Sequence, residues 1–214
     1  MSAGEPGARA LGILGGTFNP PHLGHIALAR HALDELALDR VLLVPAHTSP
    51  HKSGAAHASA AQDPGPEHRL RMCQLAIEDV DGLGVCDIEL ERGGLSYTVD
   101  TLTAIHANNP DAALTLIVGS DTASTISSWR RPQRLLELAQ LAVAARAGAG
   151  RERVLDALEG ARVRFLEMPA VAVSSSLVRE RVARGEAIED LVGAAVARYI
   201  EENGLYRARA GTVA

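Results

Sequence analysis

The stretch GILGGTFNPPHLGH, residues 12–25, places a glycine pair (Gly15, Gly16), a proline pair (Pro20, Pro21) and two histidines (His22, His25) between two regular patterns. Upstream, RALGILGG is a short, continuous apolar run of the kind that forms a buried parallel strand. Downstream, LGHIALARHALDELAL repeats apolar residues at helical spacing, at Ile26, Ala29, Leu33 and Leu36. RVLLVPA follows as a second β-rich run. This strand–helix–strand unit has a right-handed crossover if its strands share a parallel sheet.

The alternation continues outward. ALTLIVGSD, LAVAAR and VRFLEMP read as further buried strands. EHRLRMCQLAIED, YTVDTLTAIHANN and RERVLDALEG read as the helices between them. The expected fold is α/β: a doubly wound, Rossmann-like, mostly parallel sheet with helices on both faces. The segment SSLVRERVARGEAIEDLVGAAVARYIEENGLY predicts a small C-terminal extension of two successive helices, broken near Gly185 and Glu186. One domain is expected over residues 11–207, with a disordered tail at 1–10 and a flexible tail at 208–214. Residues 49–66, SPHKSGAAHASAAQDPGP, form the one long low-complexity loop, and such loops are usually functional or mobile. No internal repeat is visible.

Composition narrows the class. Of the 214 residues, 47% are apolar and 22% charged, the balance of a soluble globular protein. Only 3% are aromatic, so Ala, Val, Leu and Ile must build the core. No apolar run approaches the roughly 18 residues of a membrane span. The opening MSAGEPGARA lacks the apolar region of a signal peptide. Cys73 and Cys86 have neither framework nor metal spacing, as expected of reduced thiols in a cytoplasmic protein. A net charge of −5 argues against a nucleic-acid backbone as the main ligand. Any phosphate must therefore be held by a local cluster.

The glycine-rich turn is neither GxGxxG nor a P-loop. What it offers is an open backbone followed by a helix start near Leu23, and a helix N-terminus suits a phosphate. His22 falls just before that helix and His25 in its first turn, where both rings can donate to one anion; surface or capping histidines are the alternative. The i,i+3 spacing without a nearby Glu lacks the logic of a zinc pair, so no metal ligand is assigned.

Larger patterns now connect. His22-Leu23-Gly24-His25 resembles the (H/T)xGH signature of the nucleotidylyltransferase superfamily, and GGTFNPPH is similar to its nicotinate mononucleotide adenylyltransferase family. SSSLVR, Ser174 to Arg179, resembles the second signature, SSTxxR, with Ser176 retaining the hydroxyl of the usual Thr. VPAHTSPHK, GGLSYTVDTL, VGSDTASTISSW and VARYIEENGLY also resemble family elements, so the likeness extends from Leu11 to Arg207. Two departures stand out: Ala147-Gly148 follows Arg146 where the family commonly has Pro-Gly, and Gly193 replaces a frequent Pro.

The resemblance implies transfer of AMP from ATP to nicotinate mononucleotide, with pyrophosphate released and Mg²⁺ accompanying ATP. His22, His25, Lys52 and Arg179 are the implied catalytic residues. Gly15, Gly16, Thr17, Phe18, Gly24, Gly119, Asp121, Ser174, Ser175 and Ser176 join the two histidines and Arg179 around ATP. Asn19, Lys52, Ser96, Tyr97, Thr98, Trp129 and Arg146 are implied for the mononucleotide, with Trp129 stacking on the pyridine ring. Read as residues alone, the serines also suit a helix N-cap, Asp121 a cap, and Lys52 a solvated surface site. His47, His57, His68 and Tyr199 read as structural or surface residues. Another phosphorylated acceptor, such as nicotinamide mononucleotide or phosphopantetheine, is the sibling reading. A non-catalytic nucleotide-binding domain is the alternative from another class. Neither nucleic acid nor membrane is an expected partner, and a homo-oligomer is compatible with the sequence.

Overall fold

The computed structural model describes residues 9–50, 63–145, 151–158, 160–168 and 171–207. Its centre is β1 (Ala10–Gly16), flanked on one side by β2 (Arg40–Pro45) and β3 (Leu83–Val85). On the other side lie β4 (Ala113–Gly119), β5 (Ala139–Ala145) and β6 (Val163–Glu167), giving the order β3-β2-β1-β4-β5-β6. Every neighbouring pair is parallel. The strand β3 is absent from the sequence expectation, because three residues are too few for periodicity to register.

One register detail creates the ligand-sized space. β1 pairs with β2 as far as Gly16↔Pro45, but with β4 only as far as Ile13↔Leu116. Beyond that point β1 and β4 separate at their carboxyl ends. This is the switch point of a doubly wound sheet, where the crossovers diverge to opposite faces.

Side-chain alternation along the strands divides the core in two. Leu11 and Ile13 face one side with Leu102 and Ile105 of α4 (Thr98–Asn108), Leu135 of α6 (Pro132–Leu138) and Val154 of α7 (Arg151–Ala157). Leu14 faces the other side with Ile26, Ala29 and Ala32 of α1 (Leu23–Glu35), together with Cys73 of α2 (Pro66–Ala76). A Cβ on Gly12 would lie 2.8 Å from Leu38 and 2.9 Å from Ile117 and Val41, so this glycine serves packing. The remaining short helices are α3 (Ile88–Arg92) and α5 (Ser120–Ala123).

The C-terminal extension comprises three helices, not two: α8 (Ser175–Ala183), α9 (Glu189–Val192) and α10 (Ala194–Glu202). The expected break at Gly185 is present, at φ +71. A second comes from Gly193, whose φ of +83 suits glycine and stops helical propagation. Met72 of α2 packs with Val178, Leu191, Val192, Val196 and Ile200, fixing the extension beside the second crossover. Among the described residues no helix is long and apolar enough to cross a membrane.

Candidate active site

The turn leaving β1 passes under open space. A Cβ on Gly15 would meet nothing within 4 Å, whereas one on Gly16 would press the Phe18 ring at 3.1 Å. Phe18 adopts a left-handed φ of 50, an uncommon conformation for a bulky residue. Its buried ring meets the His25 ring edge-on, with centroids 4.9 Å apart. His22 occupies the N-cap of α1, and its backbone N–H donates to His25 Nδ1 at 3.1 Å. Since Nδ1 accepts, the His25 proton resides on Nε2, which is thereby made a donor. The two imidazoles stack at 3.7 Å. Burial pushes the His22 pKa down to about 4, so its ring is neutral near pH 7. Its Nδ1 is buried without a hydrogen-bond partner among the described residues.

The serine-rich motif docks directly on this turn. Ser174 Oγ accepts from Leu177 N at 3.1 Å and caps α8, the role that the bare sequence allowed it. Ser175 Oγ donates to the Pro20 carbonyl at 2.8 Å across 155 residues of chain. Arg179 donates from Nη1 to the Asn19 carbonyl at 2.7 Å and from Nη2 to Ser176 Oγ at 3.1 Å. A Cβ on Gly24 would approach Val173 and the His22 ring at 3.1 Å, so glycine there permits the two motifs to meet. Asn19, expected at the mononucleotide, lies in the turn between the two motifs. It is 5% exposed, and its Oδ1 accepts from Tyr206 Oη at 2.8 Å, so the side chain braces the turn from within. Burial raises the Tyr206 pKa, keeping the phenol a donor.

Beside these motifs the β1–β4 crevice widens into a cleft of about 460 Å³. Ile13, Val44, Leu116 and Val118 contribute apolar wall; Gly15, Gly16 and Thr17 form the rim shared with the histidine turn. Ser96, Tyr97, Thr98 and Trp129 line the far side, bringing together four of the residues expected at the mononucleotide. Ser96 is clamped to the β2 exit: its Oγ accepts from His47 N and its N–H donates to the Thr48 carbonyl, both at 2.9 Å. His47 Nδ1 meets the Gly94 carbonyl at 3.1 Å. Helix α4 begins at Thr98, and the first amides of a helix lack intrahelical acceptors. Trp129 Nε1 donates to Thr125 Oγ1 at 3.1 Å.

Asp121 lies beyond the strand, exposed in the first turn of α5, whose N-cap is Gly119; it is therefore not the cap. His68 Nδ1 meets Tyr199 Oη at 2.9 Å, a structural pairing. Lys52 and Arg146 fall outside the described residues, as does His57. No group of three or more His, Cys, Asp or Glu residues among those described could hold a metal.

Three charged residues near the cleft escaped the sequence reading. Arg69 is 1% exposed and donates to the carbonyls of Thr17 (2.9 Å), Ala46 (2.6 Å) and His47 (2.9 Å), and to Asp63 Oδ1 (3.0 Å). It thus ties the β1 exit to the β2 exit. Its signal was a cation on the apolar stripe of α2, at i,i+3 and i,i+4 from Met72 and Cys73. Glu89 lines the cleft, and its carboxylate accepts from the Thr101 hydroxyl, which in turn accepts from Arg92. Arg130 lies over the Tyr97 ring, 4.6 Å from its centroid, and contacts Asp100 at 3.4 Å.

Residues 13–181 match the model of the cytidylyltransferase-like family. A probable nicotinate-nucleotide adenylyltransferase of Gemmatimonas aurantiaca is 41% identical, with 92% of each chain covered. The chain belongs to the nicotinate-nucleotide adenylyltransferase family. A relative of the same description from Bordetella petrii is 42% identical over 93% of this chain and 100% of its own. Among solved structures, the Plasmodium falciparum nicotinic acid mononucleotide adenylyltransferase complexed with NaAD superposes with a TM-score of 0.73. That match covers 92% of this chain and 97% of the other at 19% identity, a likeness of fold. The same Plasmodium enzyme complexed with APC gives the same TM-score at 17% identity and the same coverage.

Proposed function

We propose that this chain transfers AMP from ATP to nicotinate mononucleotide, forming nicotinate adenine dinucleotide and pyrophosphate. The observation that carries the reading is the docking of SSSLVR on the histidine turn at the rim of a cleft lined by Trp129 and Thr98. A phosphate oxygen of the mononucleotide attacks the α-phosphorus of ATP, and the bond to the bridging oxygen of pyrophosphate breaks. The nucleophile is already an anion, so the chemistry needs placement and charge stabilisation more than a general base. His25 Nε2–H and the neutral His22 ring would donate to the triphosphate at the N-terminus of α1. Ser176 and Arg179 would hold the terminal phosphates, while Ser174, Ser175 and Asn19 keep the two motifs in register.

Mg²⁺ belongs to the substrate in this reading, carried on ATP oxygens and water. Gly119 and Asp121, past the crevice, would face the ribose. Trp129 would stack on the pyridine ring, and Lys52 and Arg146 would hold the acceptor phosphate, as the family resemblance implies. The two cysteines, kept reduced, accord with a cytoplasmic enzyme. The test is pyrophosphate release from MgATP with nicotinate mononucleotide, nicotinamide mononucleotide and phosphopantetheine. The highest kcat/KM should fall on the nicotinate form; release with phosphopantetheine alone would refute the assignment.

A further inference from the structure

Acceptor choice turns on one group, since nicotinate and nicotinamide mononucleotides differ only in carboxylate against neutral amide. Around the cleft, Glu89 and Asp100 are both acidic, and uncompensated they would favour the amide. Glu89 is buried and engaged by Thr101, with Arg92 behind that hydroxyl. Asp100 is half-exposed and contacts Arg130.

We infer that Arg130 is a specificity-determining residue that reads the acceptor's carboxylate, an inference that rests on the proposed nicotinate reaction. Arg130 lines the same cleft as its neighbour Trp129 and as Thr98. Its guanidinium is parked over Tyr97, the N-cap residue of α4, with the carbon 4.6 Å from the ring centroid. The aromatic face holds the cation without consuming its in-plane donors. Among the described residues, its hydrogen bonding is one long contact, from Nη1 to Asp100 Oδ2 at 3.4 Å. The remaining N–H groups form the planar fork that matches a carboxylate. A pyridine ring stacked on Trp129 would place its substituent beside this fork. The carboxylate accepts from it, whereas the amide presents an NH₂ that meets only donors. Asp100 has a double effect: it steadies the guanidinium and competes with the ligand for it.

The experiment measures kcat/KM for both mononucleotides in the wild type and in Arg130→Gln, Arg130→Lys and Asp100→Asn. Arg130→Gln should lower the nicotinate-to-nicotinamide ratio by about tenfold, mainly through KM for the nicotinate form, with KM for ATP unchanged. Arg130→Lys, which keeps the charge but loses the fork, should fall between. Asp100→Asn should raise the ratio by removing the competing anion. Added salt should lower the wild-type ratio and leave that of Arg130→Gln nearly flat. An unchanged ratio in Arg130→Gln, or an equal loss with both acceptors, overturns the inference while the proposed function stands. A wild type that releases no pyrophosphate with nicotinate mononucleotide overturns the function, and the inference with it.

Discussion

Replacing Arg69 by Met removes a buried cation, three of whose four hydrogen bonds join two strand exits. Methionine fills much of the volume but donates nothing, so the carbonyls of Thr17, Ala46 and His47 lose this donor. An unmet buried polar group costs about 1–3 kcal/mol, and three carbonyls lose their donor at once, whereas Asp63, 30% exposed, is left open to water. These losses overlap, because all four bonds belong to one guanidinium. The expected destabilisation is about 3–5 kcal/mol, or a Tm lower by about 6–20 °C in a chain of this size. Urea unfolding and a thermal melt measure it directly. Arg69→Lys should recover less than half, since an ammonium lacks the fork that spans three carbonyls. Asp63→Asn should cost below about 1 kcal/mol, because Asp63 is 30% exposed and the amide keeps an oxygen for Arg69 Nε. A loss under about 1 kcal/mol in Arg69→Met would refute the view that this residue binds the exits together.

His25→Ala should lower kcat by on the order of 10²–10³ and change the acceptor KM little, because the lost Nε2 donor serves developing charge. Wild-type turnover in the folded variant would exclude His25 from the reaction. His22, with a folded pKa of about 4 against 6.5 unfolded, makes stability pH-dependent in a defined window. Its contribution is fully present above pH 6.5 and is lost as pH falls toward 4, where the unfolded chain takes up the proton first; the amplitude is of order 3 kcal/mol. In His22→Asn the slope of unfolding free energy against pH should flatten across that window, and an unchanged slope would count against the burial argument. Ser175→Ala and Arg179→Ala should each raise KM for ATP and lower Tm, since each residue ties the second motif to the first. A lower Tm with KM for ATP unmoved would leave the motif a purely architectural staple.

The alternation of long apolar runs and amphipathic stretches was enough to read the parallel sheet, and the likeness of HLGH and SSSLVR to two family signatures named segments that the fold brings together. Features that depend on the company a residue keeps were hidden. Gly193 ends a helix by its left-handed backbone, which no apolar periodicity records. Nothing in NPPH signals that the Asn19 oxygen meets Tyr206 from the far end of the chain. Arg130 sits in WRRPQR, a run indistinguishable in sequence from a solvated surface; its stacking on Tyr97 is a tertiary fact. Arg69 was nearer to legible, being a charge on an apolar stripe, but only the packing shows which carbonyls it serves.

The bonds from Ser175 and Arg179 to the carbonyls of Pro20 and Asn19 close a loop around almost the entire fold. During synthesis the histidine turn leaves the ribosome early and must await α8, so the two motifs meet only after the last strand of the sheet has been made. A nascent or clipped chain that folds its first crossover still lacks the second motif. Nucleotide held by both motifs, as in the proposed function, would bridge early and late segments of the polypeptide, and a ligand that binds only the finished fold stabilises it by mass action. Under the proposed function, ATP would then act as a seal on a completed molecule as well as feeding the reaction.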